Sequence, residues 1–385
     1  MIGCGLSVVK TESTQAEHAP EEEDASVTAA TVEKQKETAG TASTEPAPTN
    51  LVEMEKTLEE IRTHLRKRKT CGRSRFLVST AAVRGDRSHM EDTSFVSSCK
   101  RFAAVFDGHG GADVSAHLRA ALFPNLLARE LDQLDRMAFK AESQKHSMIE
   151  HTLRLAFEKI DADVLARDEW RYQGSTAVGV LLFDDTIYCF NVGDSRAVLS
   201  RAGEAVDLSR DHKPNDPMEK ARVEALGGTV RWYGYVDAQG EPIEEFGAYR
   251  VNGNLAVARA IGDRDARPYV CGECELKRFG RDYVKDEFIV IASDGLWDVF
   301  TSEEVVTFVH DVLTGELGGR ESWRSGGHVD TRVPIFEWSH QYRSDTSMIK
   351  AAQMRRKSQI ANYLVQEALF RGTSDNVSVI VVWLR

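Results

Sequence analysis

Phe102-Ala103-Ala104-Val105-Phe106-Asp107-Gly108-His109-Gly110-Gly111 joins an unbroken apolar run to an aspartate, a histidine and three glycines. A short apolar run that ends in turn residues predicts a β-strand. Asp107 then stands at the strand end, where glycines let a backbone approach a ligand closely. The pattern recurs. Phe288-Ile289-Val290-Ile291-Ala292 runs into Ser293-Asp294-Gly295-Leu296-Trp297-Asp298, and Thr373-Ser374-Asp375-Asn376 leads into Val377-Ser378-Val379-Ile380-Val381-Val382-Trp383. Asn191-Val192-Gly193-Asp194-Ser195-Arg196 repeats it again, and Arg87-Ser88-His89-Met90-Glu91-Asp92 adds two more carboxylates. Each alone is ordinary turn chemistry. Five together are how a chain gathers an all-oxygen cage for hard divalent cations, with metal-assisted hydrolysis as the expected chemistry.

Working outward, further strands are expected at 76–83, 176–183, 186–192, 197–200 and 255–258, and Asp184-Asp185 reads as a two-residue hairpin turn. Helical stretches are expected at 112–134, 147–167, 217–226, 302–313 and 348–370. Hairpin-linked strands with helices grouped between them predict an α+β layered domain rather than a doubly wound parallel sheet.

The chain has 385 residues and a net charge of −11, which argues against a general nucleic-acid binder, whose affinity rests on basic surface. No apolar run reaches the length of a membrane span. The six cysteines are irregularly spaced and follow no secretory signal, so reduced thiols in the cytoplasm or nucleus are expected. Cys271-Gly272-Glu273-Cys274 lacks the second pair a zinc site needs. Ile2 separates Met1 from Gly3, which departs from a myristoylation signal, although Cys4 leaves palmitoylation and peripheral membrane contact open.

Residues 1–50, rich in Glu, Thr, Ala, Ser and Pro, read as a disordered acidic tail. Over 51–74 an amphipathic helix is expected, because Leu51, Met54, Leu58, Ile61 and Leu65 form one stripe, closed by the basic run Arg66-Lys67-Arg68-Lys69. That helix either docks a partner or packs on its own domain; two heptads are short for a coiled coil. Arg355-Arg356-Lys357-Ser358 has the form of a basophilic kinase site, and a solvated basic cluster at a helix start accounts for the same residues.

Taken in order, these clusters resemble the metal-dependent protein phosphatase family (PPM, type 2C). Gly174-Ser175-Thr176-Ala177, Asp211-His212-Lys213-Pro214, the run from Arg250 to Asp263 and Gly372 to Ser378 extend the likeness over about 75–385. The resemblance implies a four-layer α-β-β-α sandwich of two stacked antiparallel sheets flanked by helices, with the site at one end. It implies Mg²⁺- or Mn²⁺-dependent hydrolysis of phosphoserine and phosphothreonine in protein substrates by a monomeric enzyme. By position, Asp107 matches the carboxylate bridging two ions, and Asp294 and Asp375 match further ligands of one. Glu91 and the Gly108 carbonyl, with Asp92 beside them, match the surroundings of the other. Arg87 matches the phosphate-binding arginine and His109 the general acid. Asp194 and Asp298 match residues tied to a weaker third metal position, and Asn376 a supporting residue. A flap at about 215–250, extended by Val236 to Phe246, and an insertion at about 314–343 go beyond the family core. The alternative is an inactive phosphatase-like scaffold that binds signalling partners, though such proteins typically lack a ligand carboxylate and none is missing here.

Overall fold

The computed structural model of the chain describes residues 76–314 and 346–385. The tail, the 51–74 helix with its basic run, Cys4 and nearly all of the 314–343 insertion lie outside the described residues. In chain order the elements begin β1 (Leu77–Val83), β2 (Thr93–Val96), β3 (Phe102–Phe106), β4 (Gly108–His109), α1 (Asp113–Ala121), α2 (Ala128–Arg136) and α3 (Glu142–Leu165). They continue with β5 (Gly174–Ser175), β6 (Ala177–Phe183), β7 (Thr186–Val192), β8 (Arg196–Arg201), β9 (Glu204–Asp207), α4 (Pro217–Ala225), β10 (Val230–Val236) and β11 (Pro242–Val251). The last are β12 (Ile261–Gly262), β13 (Glu275–Gly280), β14 (Asp286–Ala292), α5 (Asp294–Trp297), α6 (Ser302–Thr314), α7 (Thr346–Phe370) and β15 (Val377–Trp383).

One sheet runs β1-β15-β14-β8-β9 and the other β13-β7-β6-β3-β2, every pairing antiparallel. Strand alternation explains why the central strands are apolar on both faces. Ala103 and Val105 of β3, Ile289 and Ile291 of β14, and Ile380 and Val382 of β15 pack together in one core, between the sheets. Their neighbours Phe102, Ala104 and Phe106 face α1–α3, packing with Leu118, Leu153 and Phe157. Phe288, Val290, Val379 and Val381 face α6 and α7, packing with Val305, Val309, Ile360 and Leu364. The result is helix, sheet, sheet, helix, the layered α+β sandwich expected from the sequence.

Several expectations need correction. The single helix expected over 112–134 is divided: a π-helical stretch at Leu122–Leu127 separates α1 from α2. Pro124 lies in it, and proline has no N–H for a regular helical bond. The strand expected at 255–258 is absent. Asn252 and Gly253 both take left-handed φ, +49° and +76°, so the chain doubles back and Leu255 makes only an isolated bridge to Val251. β2, β9 and β13 were not anticipated; they are edge strands, partly exposed and weakly patterned. The Asp184-Asp185 turn does form, with Asp184 at φ +50°.

The basic run 355–357 lies inside α7 rather than at its start. Arg356 is buried and donates to Leu313 O at 2.9 Å, and Lys357 donates to Arg385 O while lying over the Trp383 ring. Arg356 therefore ties α7 to α6, and Lys357 ties it to the end of β15.

Because the inter-sheet layer carries the fold, Ile380→Ala at its fully buried centre is expected to destabilise the protein by about 2–5 kcal/mol, read as a lower urea midpoint. A loss below half a kcal/mol would contradict this packing.

Candidate active site

Strand register brings the sequence clusters to one edge of the sandwich. Thr93 pairs with Phe106, which sets Asp92 beside Asp107. Ala292 pairs with Val379 and Val83 with Val377, so Asp294, Asp375 and the loop 84–92 meet at the same end of the other sheet. Ala177 pairs with Val192, which brings in the turn carrying Asp194.

Side-chain hydrogen bonds lock these turns. Asn376 donates through Nδ2 to Arg84 O (2.7 Å) and His89 O (3.0 Å), and its Oδ1 accepts from the Glu91 N–H (2.7 Å). One buried amide thus stitches the Arg87–Asp92 loop to β15. Ser293 Oγ donates to Asp92 Oδ2 at 2.8 Å and accepts from the Ser378 N–H at 2.9 Å. Thr176 Oγ1 accepts from the Asp107 N–H at 3.2 Å. Gly108 is buried against the same loop: a Cβ there would lie 2.6 Å from Glu91 O, so only glycine allows the approach.

The electrostatics are dominated by like charge. Burial pushes the Asp107 carboxyl well above the usual range, and the charges of Asp294, Asp92 and Asp194 push it further. Asp294 is raised in the same way, by burial first and then by Asp194, Asp298 and Asp375. Burial lifts Asp92 and Asp194 each to about 6. Asp92 and Asp294 both lie close enough to Asp107 for their charges to raise it. Carboxylates come that close only with a proton or a cation between them.

Among the described residues, no group of three or more His, Cys, Asp or Glu side chains is already drawn into a single ligand shell. The donor set is nonetheless all oxygen, which suits Mg²⁺ or Mn²⁺, and buried Asp92 Oδ1 has no hydrogen-bond partner. On those two observations the residues fit a hard divalent cation.

The predicted residues are thus distributed unevenly. Asp92, Asp107, Asp194 and Asp294 form the inner group, with Glu91 alongside Gly108. Asp375 lies at the edge, where its Oδ2 accepts from Arg87 at 2.6 Å; Arg87 is 59% exposed and turned to solvent. Asp298 is an exposed rim residue, 3.5 Å from Lys213 Nζ.

His109 bonds through Nε2 to Asp263 Oδ2 at 2.7 Å. Burial alone would lower its pKa, but the hydrogen bond and charge of Asp263 outweigh it and the net shift is upward. Asp263 is buried and takes a left-handed φ of +51°. Gly174 makes room for the pair, since a Cβ there would sit 2.2 Å from Asp263 Oδ2 and 2.6 Å from His109 Nε2. The roles of Asp263 and Lys213 escaped the sequence reading. Their only signals were the short runs Gly262-Asp263 and Asp211-His212-Lys213-Pro214, which carry no partner information.

A separate cavity of about 790 Å³, lined by Phe183, Asp184, Tyr188 and Arg281 among others, opens at the opposite end of β6 and β7. Its Lys145 is already paired with Asp184 and its Arg101 with Asp135, and it contains none of the clustered carboxylates.

Comparison with known proteins identifies the family. The family model described as "Protein phosphatase 2C" matches residues 70–318. A probable protein phosphatase 2C from Oryza sativa is 33% identical over 316 residues, covering 80% of this chain and 76% of that protein. One from Arabidopsis thaliana is 35% identical, covering 66% of this chain and 62% of the relative, and another from Oryza sativa is 38% identical, covering 63% and 57%. The chain therefore spans about 60% of the length of those two relatives. Among solved structures, a C. elegans sex-determining protein superposes with a TM-score of 0.59 at 23% identity, covering 88% of this chain and 74% of that one. A serine-threonine phosphatase 2C from Toxoplasma gondii superposes at 0.54 and 19%, covering 80% and 94%. These two likenesses establish the fold. From the family match and the curated relatives, the chain belongs to the protein phosphatase 2C family.

Proposed function

We propose that this chain hydrolyses phosphoserine and phosphothreonine in proteins, with two Mg²⁺ or Mn²⁺ ions held at the carboxylate cluster. The observation that carries the reading is the convergence of Asp92, Asp107, Asp194 and Asp294 at one edge of the sandwich, with an exposed guanidinium beside them. We assign catalysis to residues 75–385, which include every residue named.

Asp107 would bridge the ions. Asp294 and Asp375 would complete one shell, Glu91, Asp92 and the Gly108 carbonyl would serve the other, and Asp194 and Asp298 would offer a weaker third position. When bound, the cations would supply Lewis acidity, easing deprotonation of the attacking water and offsetting charge at phosphorus. Arg87 keeps donors free beyond the one spent on Asp375, and these would grip the phosphate and orient it. His109 would donate a proton to the departing serine or threonine oxygen. Since Nε2 is committed to Asp263, Nδ1 is the nitrogen left to give that proton.

The decisive experiment is phosphate release from phosphoserine and phosphothreonine peptides at millimolar Mn²⁺, with and without chelator. Metal-dependent release is expected; none from folded protein would leave the scaffold reading standing. Asp107→Asn is expected to lose more turnover than the roughly 10–100-fold typical of residues that merely support a metal site.

The same variant has a stability signature. In chelator, relieving about 1 kcal/mol of like-charge repulsion should raise its melting temperature by roughly 2–4 °C, while the rise that Mn²⁺ produces in the parent protein disappears. A parent-like Mn²⁺ response in Asp107→Asn would count against Asp107 as a bridging ligand.

For Asp263 as a positioning residue, Asp263→Asn should lower kcat on phosphoserine peptides by about 10²-fold, the low end for general-acid catalysis. It should spare p-nitrophenyl phosphate, whose good leaving group needs no proton. Equal losses on both substrates would show that Asp263 acts only through the fold.

A further inference from the structure

The chain segment 210–213 runs directly alongside Gly193-Asp194. His212 is fully buried; its N–H donates to Gly193 O at 3.0 Å, and its Nδ1 accepts from the Gly193 N–H at 3.1 Å. Asn191 Nδ2 reaches both Gly193 O (3.0 Å) and Arg210 O (2.7 Å), and the Ala258 N–H donates to His212 O at 2.9 Å. These bonds hold the backbone of Lys213 close to that of Asp194.

The neighbouring charges are already apportioned. Asp211 is taken by Arg196 in a two-pronged pair at 2.9 and 2.6 Å. Arg87 gives one N–H to Asp375, at 2.6 Å. Lys213 is left with its ammonium 3.5 Å from Asp298 Oδ1 and in the field of buried Asp194. Its side chain and that of Asp298 are 45% and 53% exposed, so the lysine stem has room to swing outward.

We propose that Lys213 is an internal counter-cation that sets how many divalent ions this site holds: its ammonium neutralises the Asp194–Asp298 pair, which takes a further Mg²⁺ or Mn²⁺ only when the lysine is displaced. The argument rests on the carboxylate cluster being a cation site, as proposed above. One carboxylate pair cannot fully satisfy an ammonium and a divalent ion at once. Occupancy by either therefore weakens the other, and the coupling is reciprocal. A lysine that merely pinned the rim would stabilise the fold slightly and leave ion binding alone.

The test counts ions directly, through the loss of free Mn²⁺ signal in electron paramagnetic resonance as metal is titrated onto the full chain. Lys213→Met is expected to bind one Mn²⁺ more than the parent protein at the same free concentration, with the weakest site tightened about tenfold, the effect of about 1.4 kcal/mol. Lys213→Arg, which keeps the charge, should bind as the parent does. Adding Asp298→Asn to Lys213→Met should remove the extra ion and so place it at this pair.

Unchanged ion number and affinity in folded Lys213→Met, with normal Mn²⁺ binding by the parent, would overturn the role of Lys213 and leave the phosphatase reading intact. An extra ion that persists after Asp298→Asn would overturn its location. No Mn²⁺ on any variant would overturn both readings together. Lys213→Gln provides a second neutral variant should methionine disturb folding.

Discussion

Everything at the working end of this protein depends on holding like charges together. Asp92, Asp107, Asp194 and Asp294 are drawn to one edge of two stacked sheets, and burial and mutual repulsion raise all four above the ordinary carboxylate range. A chain would not adopt that arrangement for stability. It is maintained because each carboxylate sits at the end of, or one turn beyond, a strand whose apolar residues are committed to the three packed layers. Each fully buried aliphatic or aromatic side chain stabilises by about 1.5–3 kcal/mol. The layers therefore outweigh the repulsion, and cations complete the balance when present.

Rigidity at that edge comes from a few side chains with several bonds each. Asn376 satisfies three backbone groups from a single amide, Ser293 links Asp92 to the start of β15, and Asp263 holds His109. Such groups keep a cation site in shape better than loop backbone alone would. Lys213 is of a different kind. It is anchored through its buried neighbour His212 yet half-exposed at its tip, which suits a charge that yields its place.

Much of this was legible in the residues. β3, β6, β7, β14 and β15 announce themselves as apolar runs because they are buried on both faces, and a doubly buried strand leaves no position for a polar residue. The acidic clusters were equally plain, since aspartate beside glycine at a strand end is a local pattern. The edge strands β2, β9 and β13 were not visible: a half-exposed strand has weak alternation. Pro124 was in view, yet the sequence could not show whether it would end the helix or widen it.

The chain's own order of residues determined the layered α+β class, the strands that make its core and the carboxylates, arginine and histidine of the proposed site, because each of those is a local pattern of polarity and spacing. Tertiary structure alone decided which of them touch. Asp263 lies 154 residues from His109 and Arg87 lies 288 from Asp375, and such pairings arise only when strand register and turn geometry bring separate strand ends to one edge. The same register places Asp298 on the rim with Lys213 rather than among the inner carboxylates. Lys213 is held opposite it by the burial of His212 beside Gly193, a contact that no spacing in the sequence encodes.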